Sequence, residues 1–325
     1  MEEIARMVLD DVESTAKLKA LRHNLIEVDF GTYHKLIQSR NSVNDIGASL
    51  EVAGDEKTRD LKSVLIANAR RVQQGLRVLE EFSRMPEISM SSNIFSDARF
   101  EVYKLEQDLI GKLGRQEKKR ILNGLYVILD MELLKGKDYL EITRKIIRGG
   151  CRIIQLRDKF NNKRIIYSEA SELRDLCKSY NVVFVVNDHV DIAIAVQADG
   201  VHVGQKDLPV SVVRELVPLN MIVGCSVTSI DLALKAVHEG ADYLGVGSIF
   251  NTATKSDAEV IGLEGLSNIK QVSTVPVFAI GGINHDNVRN VMSTGVDGIA
   301  VITAVLLAED PENATREFIK LMGLD

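Results

Sequence analysis

From Leu125 onward, the chain alternates short apolar segments rich in β-branched residues with longer amphipathic segments, and this alternation constrains the fold most strongly. Strands that are apolar along their whole length are buried on both faces, as in a parallel sheet covered by helices. Eight such strands are predicted, at residues 125–129, 152–156, 182–186, 200–203, 221–223, 243–246, 277–280 and 298–301. Eight βα units in about 200 residues are typical of a small (β/α)8 TIM barrel.

A doubly wound open sheet is the alternative α/β fold for this pattern. Such a sheet normally carries a G-x-G-x-x-G turn directly after its first strand. Here Asp130 is followed by residues 131–134, none of which is glycine. The sequence therefore favours the closed barrel.

The residues ahead of the barrel have a helical pattern throughout. Apolar residues recur at spacings of three and four, as in Ile4, Met7 and Val8, and no β-branched run bounded by turn residues interrupts them. We therefore predict an all-α domain over residues 1–118 and a barrel domain over residues 119–325. The charge-dense stretch 111–120, which ends in three basic residues, is predicted to be the linker between them.

Composition and charge exclude several functional classes. Hydrophobic residues make up 45% of the chain and charged residues 26%, the balance of a globular protein. Aromatic residues make up 5%, Trp is absent and the formal net charge is -6, so a nucleic-acid partner is not expected. No signal-like or membrane-spanning run is visible, and the three cysteines fit neither a disulfide framework nor a CxxC pattern. We therefore expect a cytoplasmic protein without a membrane partner.

Chemically useful residues follow the predicted strands. In such barrels the active site lies on the loops after the strands, and the residues at these positions are Gln155, Arg157, Lys159, Asn187, Asp188, Asp207, Ser226, Thr252, Thr254, Lys255, Gly281, Gly282, Ile302 and Thr303. Asp188 and Asp207 supply hard oxygen ligands, and Mg²⁺ takes one or two carboxylates together with phosphate oxygens. Arg157, Lys159 and Lys255 add the positive charge that a di- or triphosphate requires. We therefore predict a magnesium-bridged polyphosphate site.

A second anion site is predicted at the loops after the seventh and eighth strands, a recurring phosphate-binding position in such barrels. Gly281 and Gly282 allow close approach to the backbone, and Thr303 begins the next helix. Taken singly, these residues also have structural explanations, since Asp188 and Asp207 could cap the helices that follow them. Their joint position at the ends of different strands favours a site that holds two phosphorylated groups.

Six segments of the barrel resemble thiamine phosphate synthase in order and spacing: 155–159, 186–191, 200–208, 252–255, 279–283 and 302–304. The resemblance covers the chain from about Leu122 to its end. It implies a transferase that joins 4-amino-2-methyl-5-hydroxymethylpyrimidine diphosphate to thiazole phosphate, giving thiamine phosphate and pyrophosphate. The implied mechanism is Mg²⁺-assisted departure of pyrophosphate and attack of the thiazole nitrogen on a pyrimidine cation.

The resemblance also assigns roles by residue. The residues that would hold the pyrimidine diphosphate are Gln155, Leu156, Arg157, Asp158, Lys159, Asn187, Ser226 and Lys255, of which Arg157, Lys159 and Lys255 are the catalytic cations. Those that would hold the thiazole phosphate are Thr252, Ala253, Thr254, Gly282, Ile302 and Thr303. Asp188 and Asp207 would bind Mg²⁺, while His189 and His202 near the mouth are interpreted as structural.

Two other enzymes of this barrel type are weighed against the synthase. A thiazole phosphate tautomerase-like barrel would keep the thiazole phosphate site but needs no metal–diphosphate site. A sugar-phosphate epimerase is a more distant alternative. The complete set of Arg157, Lys159, Asp188, Asp207 and Lys255 favours the synthase.

The N-terminal domain has a resemblance of its own. Segments 67–84 and 17–25 are similar to a helical domain that is sometimes fused ahead of thiamine phosphate synthase and is proposed to phosphorylate hydroxymethylpyrimidine phosphate. Segment 97–108 resembles them weakly. The domain contains no P-loop or kinase motif, so an oligomerisation module is the alternative. Small phosphorylated molecules are the expected partners, and a homo-oligomer is left open.

Overall fold

The computed structural model describes residues 1–26, 60–85, 91–252 and 259–323. These residues form two compact units, Met1–Leu113 and Gly114–Asp325. The first unit is helical: a short π-helical turn at Ile4–Val8 precedes helices α1 (Val12–Ile26), α2 (Leu61–Phe82) and α3 (Ser92–Arg120). None of the described helices is long and apolar enough to cross a membrane.

Two small apolar cores and an ion pair with a buried carboxylate stabilise the described part of the helical unit. Leu65 of α2 and Leu109 of α3 belong to the first core, and Leu76 packs in the second. Glu80 of α2 is only 5% exposed, and its carboxylate accepts a hydrogen bond from Arg99 of α3 at 2.9 Å. Segments 17–25 and 97–108 lie on these helices, as does segment 67–84 up to Phe82, and the prediction of a helical N-terminal region is confirmed.

The prediction that residues 111–120 form a linker is wrong, because α3 continues through them to Arg120. The division between the two units falls between Leu113 and Gly114, inside this helix. Three basic residues close the helix, and positive charge is favourable at a helix C-terminus. A polar, charge-dense composition therefore does not distinguish a linker from the charged end of a helix.

The last turns of α3 belong to the barrel unit through ion pairs. Arg115 and Lys119 lie 3.7 and 3.6 Å from the buried carboxylate of Asp242. Lys118 lies 2.9 Å from the carboxylate of Asp199. Both aspartates directly precede strands of the barrel, so these pairs attach the helix end to the end of the barrel where those strands begin.

The second unit is a closed barrel of eight parallel strands, as predicted. Its strands are β1 (Gly124–Asp130), β2 (Ile153–Arg157), β3 (Val183–Asn187), β4 (Gly200–Val203), β5 (Ile222–Val227), β6 (Tyr243–Val246), β7 (Val277–Ile280) and β8 (Gly298–Val301). Each strand pairs with its neighbours in chain order, and β8 pairs with β1 to close the barrel. The largest difference from prediction is at β5, which continues to Val227 where the sequence predicted its end at Val223.

Helices connect the strands on the outside of the barrel. They are α4 (Tyr139–Arg148), α5 (Lys163–Ser179), α6 (Val190–Ala195), α7 (Val210–Leu216), α8 (Ile230–His238), α9 (Gly262–Val272), α10 (Val288–Met292), α11 (Thr303–Leu306) and α12 (Pro311–Leu321). Asp138, Asn162 and Ser229 begin α4, α5 and α8, and their side chains accept N–H groups of the first turn. These caps satisfy donors that have no partner within the helix.

Alternate residues of each strand point to opposite sides and fill two separate cores. Leu156 and Leu244 belong to the larger core between strands and helices. Tyr126, Ile153 and Phe278 belong to the inner core of the barrel. Positions that continue the inner set toward the carboxyl ends of the strands therefore open onto the mouth of the barrel.

Three aspartates join neighbouring strands at the opposite end. Asp199, Asp242 and Asp297 directly precede β4, β6 and β8. Their carboxylates accept backbone N–H groups from the preceding strand: Phe184 at 3.1 Å, Val223 at 2.9 Å and Val277 at 2.7 Å. Each of these strand pairs thus has an acidic side chain that satisfies a backbone donor where the barrel begins.

Candidate functional site

Most of the predicted site residues converge at the carboxyl ends of the strands. The inward-facing positions at these ends hold Gln155 and Arg157 on β2, Asn187 on β3 and Ser226 on β5. The loops directly after β2, β3 and β4 hold Lys159, Asp188 and Asp207. The barrel therefore brings together cationic, amide, hydroxyl and carboxylate side chains that are far apart in the sequence.

Arg157 is held by Asp130, a residue that the sequence analysis did not assign to the site. A guanidinium N–H of Arg157 donates to the Asp130 carboxylate at the end of β1. The Arg157 side chain is 14% exposed and that of Asp130 is 4% exposed. Because losing one partner would leave a buried charge unpaired, this pair keeps Arg157 in a fixed position. The sequence feature that indicates Asp130 as a site residue is an acidic side chain at an inward-facing position where a strand ends.

The two predicted metal ligands lie close together. The N–H of Asp188, which has a positive φ of 62°, donates to the carbonyl oxygen of His202 at 2.8 Å. Burial raises the pKa of Asp188, and the nearby Asp207 carboxylate raises it further against the opposing effect of Lys159. The Nζ of Lys159 lies 3.3 Å from Oδ2 of Asp188. Two adjacent carboxylates with one cation favour the binding of a further positive charge.

The donor set fits Mg²⁺ that is shared with a substrate. Within the described ranges, no group of three or more His, Cys, Asp and Glu side chains is placed to hold a metal ion by itself. Mg²⁺ typically takes one or two protein carboxylates and completes its shell with water and phosphate oxygens. Asp207 accepts the N–H of Gly204 at 2.7 Å, so its carboxylate is part of an ordered turn.

Two residues of the predicted pyrimidine diphosphate set have structural roles. Leu156 points toward the helices and is 1% exposed in the larger core, because alternate residues of β2 face opposite sides. Asp158 is buried, and its carboxylate accepts the N–H groups of Phe160 at 2.9 Å and Asn161 at 3.0 Å. Both side chains stabilise the barrel and the loop after β2, and the substrate contacts predicted for these two residues stay predictions.

The glycine pair after β7 forms a tight turn with bound carbonyl groups. Gly281 and Gly282 have φ angles of 103° and 67°, a region that favours glycine. A Cβ on Gly282 would lie 2.6 Å from the carbonyl oxygen of Asn251. The carbonyl of Gly281 accepts the N–H of Phe250 at 3.0 Å, and that of Gly282 accepts the Asn287 side-chain amide at 2.9 Å. No acceptor among the described residues takes the N–H of Gly282, which can therefore bind an anion.

The remaining residues of the predicted thiazole phosphate set follow β6 and β8, the two strands that neighbour β7 in the barrel. Ile302 is partly buried against both cores, and Thr303 is exposed at the start of the one-turn helix α11. Thr252 is partly buried. Ala253, Thr254 and the catalytic candidate Lys255 lie outside the described residues.

A row of hydrogen-bonded side chains crosses the interior of the barrel, and we call it the polar row. The Nε2 of Gln155 donates to Oη of Tyr126 at 2.8 Å, and this oxygen lies 3.0 Å from Oη of Tyr243. His202 continues the row, with Nδ1 at 3.0 Å from Oη of Tyr243 and Nε2 at 2.9 Å from Oγ of Ser226. Only the two ends of the row, Gln155 and Ser226, are among the predicted site residues. For the middle of the row, the sequence feature is the pair of tyrosines, Tyr126 and Tyr243, at inward-facing strand positions.

Comparison with known families gives one match for each part of the chain. The profile of a family described as thiamine monophosphate synthase matches residues 125–305. The profile of the ThiD2 family matches residues 1–108. The first match covers the barrel and the second covers the helical unit.

Individual relatives are similar over nearly the whole chain. A thiamine-phosphate synthase of Synechocystis sp. is 35% identical over 321 residues, which is 98% of this chain and 90% of that relative. One of Prochlorococcus marinus is 37% identical over 322 residues, with the same coverage. A thiamine-phosphate synthase of Pyrococcus furiosus is 50% identical over 198 residues, 61% of this chain and 94% of the relative. A solved structure of thiamine phosphate pyrophosphorylase from the same organism has 46% identity and a TM-score of 0.58 over 65% of this chain and 98% of that one.

Proposed function

The chain belongs to the thiamine monophosphate synthase family, and from this premise we propose how its barrel carries out the transferase reaction. A pyrimidine diphosphate and a thiazole phosphate bind at the mouth and react to give thiamine phosphate and pyrophosphate. The observation that supports this best is the cluster of Arg157 on its buried partner Asp130, Lys159 and the adjacent carboxylates of Asp188 and Asp207. That cluster combines cations for a diphosphate with ligands for Mg²⁺.

The cations of the mouth stabilise the leaving group in this proposal. The bond between the methylene carbon of the pyrimidine and the diphosphate oxygen breaks, and the oxygen keeps the electron pair. Arg157, fixed by Asp130, and Lys159 stabilise the charge that develops there, and the sequence adds Lys255. Preorganised groups of this kind typically contribute about 10²–10³ each in turnover.

Asp188 and Asp207 would hold Mg²⁺, which when bound neutralises part of the diphosphate charge. The proposal rests on their proximity, since the Asp207 carboxylate disfavours the charged form of Asp188 and raises its pKa. Lys159, 3.3 Å from Asp188, keeps part of that charge balanced in the protein alone. With Mg²⁺ held by the two carboxylates, Lys159 would be available to the diphosphate.

The thiazole phosphate binds against the glycine turn in this proposal. Its phosphate accepts hydrogen bonds from the N–H of Gly282 and the hydroxyl of Thr303, with Thr252 and Ile302 beside it. The thiazole nitrogen then uses its lone pair to form the new bond to the methylene carbon. Because this nitrogen carries no proton, neither His189 nor another base has to remove one. The contribution of the protein at this step is orientation of the two substrates.

Cysteine chemistry supports a cytoplasmic location. Cys151, Cys177 and Cys225 are free and buried. Burial raises the pKa of Cys151 and of Cys225 to about 11, so these thiols stay protonated. Free cysteines of this kind are typical of proteins from reducing compartments.

The helical unit matches the ThiD2 family, and two roles are proposed for it. One is phosphorylation of hydroxymethylpyrimidine phosphate, which would supply the diphosphate that the barrel consumes. The other is assembly of a homo-oligomer. Consumption of ATP by the full chain that depends on hydroxymethylpyrimidine phosphate would establish the first, and a concentration-dependent oligomer without it would favour the second.

The test of the barrel reaction is product analysis. The full chain is mixed with the pyrimidine diphosphate, the thiazole phosphate and Mg²⁺, and thiamine phosphate and pyrophosphate are measured together. We expect both products in equal amounts, and neither in the presence of a chelator. A tautomerase-like barrel would release no pyrophosphate, so a parent protein that releases none would contradict the proposal.

A further inference from the structure

The polar row ends on two residues of the proposed pyrimidine site, Gln155 and Ser226, while its middle members have no part in the reaction as described. Tyr126, Tyr243 and His202 are buried, with 2%, 0% and 8% of their surface exposed. Polar side chains this far inside a barrel core are costly unless every hydrogen bond is made. The three buried polar side chains therefore indicate a role that apolar side chains could not fulfil.

Two glycines make the room that this row occupies. A Cβ on Gly224 would lie 2.1 Å from Cζ of Tyr243 and 2.5 Å from Nδ1 of His202. A Cβ on Gly245 would lie 3.1 Å from Cε1 of His202. The inward-facing positions of β5 and β6 next to the row thus carry no side chain, and the two rings fill the space.

The hydrogen bonds of the row have a direction that starts at Gln155. An amide nitrogen can only donate, so Oη of Tyr126 accepts from Gln155. The Tyr126 proton then goes to Tyr243, and the Tyr243 proton goes to Nδ1 of His202. His202 consequently carries its proton on Nε2 and donates to Oγ of Ser226.

The opposite direction in the middle of the row would leave a buried proton without an acceptor. If Tyr243 donated to Tyr126, the Tyr126 oxygen would accept two bonds, and its own proton would have no acceptor among the described residues. Buried hydroxyl groups rarely remain in that state. Burial also raises the pKa of both phenols, so each keeps its proton. All hydrogen bonds therefore point from Gln155 toward Ser226.

This direction determines what the two ends offer to a ligand. Gln155 uses one of its two amide N–H groups on Tyr126, which fixes the orientation of the amide. Gln155 is only 2% exposed, and no donor among the described residues binds its carbonyl oxygen, so this oxygen is the acceptor that the side chain offers to a ligand. Ser226 accepts from His202, so its own proton is available as a donor.

We propose that Tyr126, Tyr243 and His202 are positioning residues that fix Gln155 as an acceptor and Ser226 as a donor for an aminopyrimidine ring. The exocyclic amino group of such a ring donates, and its ring nitrogens accept, so the two ends of the row complement it. A ring with a keto group in place of the amino group would meet the Gln155 oxygen with a second acceptor. The inference rests on the proposed function of the barrel and adds the basis of its selectivity for the pyrimidine.

The first test is the tautomer of His202 in the full chain. The chain has six histidines, so ¹⁵N-histidine labelling gives few signals, and the His202→Asn variant assigns the relevant pair. We expect the proton on Nε2 and an unprotonated Nδ1. A proton on Nδ1 would overturn the proposed direction. The measurement needs no substrate, so it decides the direction even if the barrel reaction itself is disproved.

A second test reverses the row from its far end. In Gln155→Glu, recorded above neutral pH, the carboxylate can only accept, so Tyr126 must donate to it. Tyr243 then donates to Tyr126, and His202 must donate from Nδ1 to Tyr243. We therefore expect the His202 tautomer to switch although its direct neighbours are unchanged. An unchanged tautomer in a folded variant, checked by circular dichroism, would disprove the coupling along the row.

The third test separates positioning from general stability by kinetics. Tyr243→Phe removes one hydroxyl of the row, and we expect KM for the pyrimidine diphosphate to rise about tenfold, the effect of one typical hydrogen bond. KM for the thiazole phosphate should change by less than about twofold. The matched control is Tyr139→Phe, which removes a hydroxyl that bonds to Glu172 on the outside of the barrel. Equal changes in both KM values, or equal effects of the two variants, would overturn the proposal.

Discussion

At the scale of single residues, the proposed role of Arg157 depends on its ion pair with Asp130. Asp130→Asn keeps the shape of the side chain but removes the charge that pairs with Arg157 in a buried setting. A hydrogen bond to a charged group contributes about 1.5–3 kcal/mol, so we expect kcat to fall about 10- to 100-fold. Asp231→Asn, an exposed aspartate of α8, is the control and should leave kcat unchanged. An Asp130→Asn variant with parental kcat would contradict the role of the pair.

The two carboxylates of the proposed Mg²⁺ site are tested by the same kind of change. Asp188→Asn and Asp207→Asn should each lower turnover by about 10²–10³ and raise the Mg²⁺ concentration needed for half-maximal pyrophosphate release. Binding of the thiazole phosphate, measured by calorimetry, should be retained because its proposed contacts lie at Gly282 and Thr303. Pyrophosphate release by the variants with the Mg²⁺ dependence of the parent would exclude these ligands.

Glu169 of α5 makes the stability of the folded protein depend on pH. Burial, with a contribution from nearby Asp158, raises the pKa of Glu169 to about 7, against 4.5 for an ordinary glutamate. The folded protein therefore binds this proton more tightly than the unfolded chain, and its stability falls as the pH rises from about 4.5 to about 7. Glu169→Gln removes the titration. We expect the melting temperature of the variant relative to the parent to increase from about pH 5 to about pH 8, whereas a constant difference would show that Glu169 does not titrate in this range.

At the scale of elements, the glycine turn after β7 depends on the residue that begins α10. The Asn287 side chain donates to the carbonyl of Gly282 at 2.9 Å and accepts the N–H of Asn284 at 2.9 Å. Asn287→Ala frees this carbonyl, so the turn should lose its fixed geometry. We expect KM for the thiazole phosphate to rise about five- to tenfold, the loss of one hydrogen bond, with KM for the pyrimidine diphosphate unchanged. Asn313→Ala, which removes an exposed amide on α12, is the control.

The strands could be predicted from the sequence because a strand that is buried on both faces is a run of apolar, often β-branched residues. β4, β6, β7 and β8 have the predicted bounds, and β5 was predicted too short because Gly224, Cys225 and Ser226 do not form a β-branched run. The linker prediction failed for a different reason. Arg115, Lys118 and Lys119 pair with aspartates that are far away in the sequence, and local composition does not report such pairs.

For the candidate site too, residue types could be predicted from the sequence, whereas contacts between distant residues could not. The type and order of the residues indicated Arg157, Asp188 and Asp207, whose chemistry is visible in the sequence. The structural roles of Leu156 and Asp158 depend on which way each side chain points, and a continuous motif does not carry that information. The middle of the polar row depends on contacts between strands that are remote in sequence, so only the closed barrel reveals it.

At the scale of the whole molecule, the barrel unit is expected to work without the helical unit. A fragment of residues 114–325 keeps Arg115, Lys118 and Lys119 with their partners Asp199 and Asp242. The alignment with the P. furiosus relative spans 198 residues, which is 61% of this chain and 94% of the relative. We expect this fragment to form thiamine phosphate with the kcat of the full chain.

A shorter fragment, residues 121–325, provides the comparison for that prediction. It leaves the 4%-exposed carboxylate of Asp242 with fewer cations, so its melting temperature should be lower by several degrees. Thermal unfolding and product formation are measured on both fragments. A folded 114–325 fragment without activity would show that the helical unit contributes to the reaction.

The aspartates directly before β4, β6 and β8 link the strands of the barrel in pairs. Each one satisfies a backbone donor of the strand before it, so the pairs β3–β4, β5–β6 and β7–β8 contain their own staple. The position before β2 holds Arg152, and the first pair lacks this feature. Such a module can be duplicated or exchanged between related barrels without leaving an unmatched N–H group at the seam. Recombination between related barrels would keep each aspartate with its N–H partner if the chains were joined before β3, β5 or β7. A joint inside a strand pair would separate the aspartate from its partner.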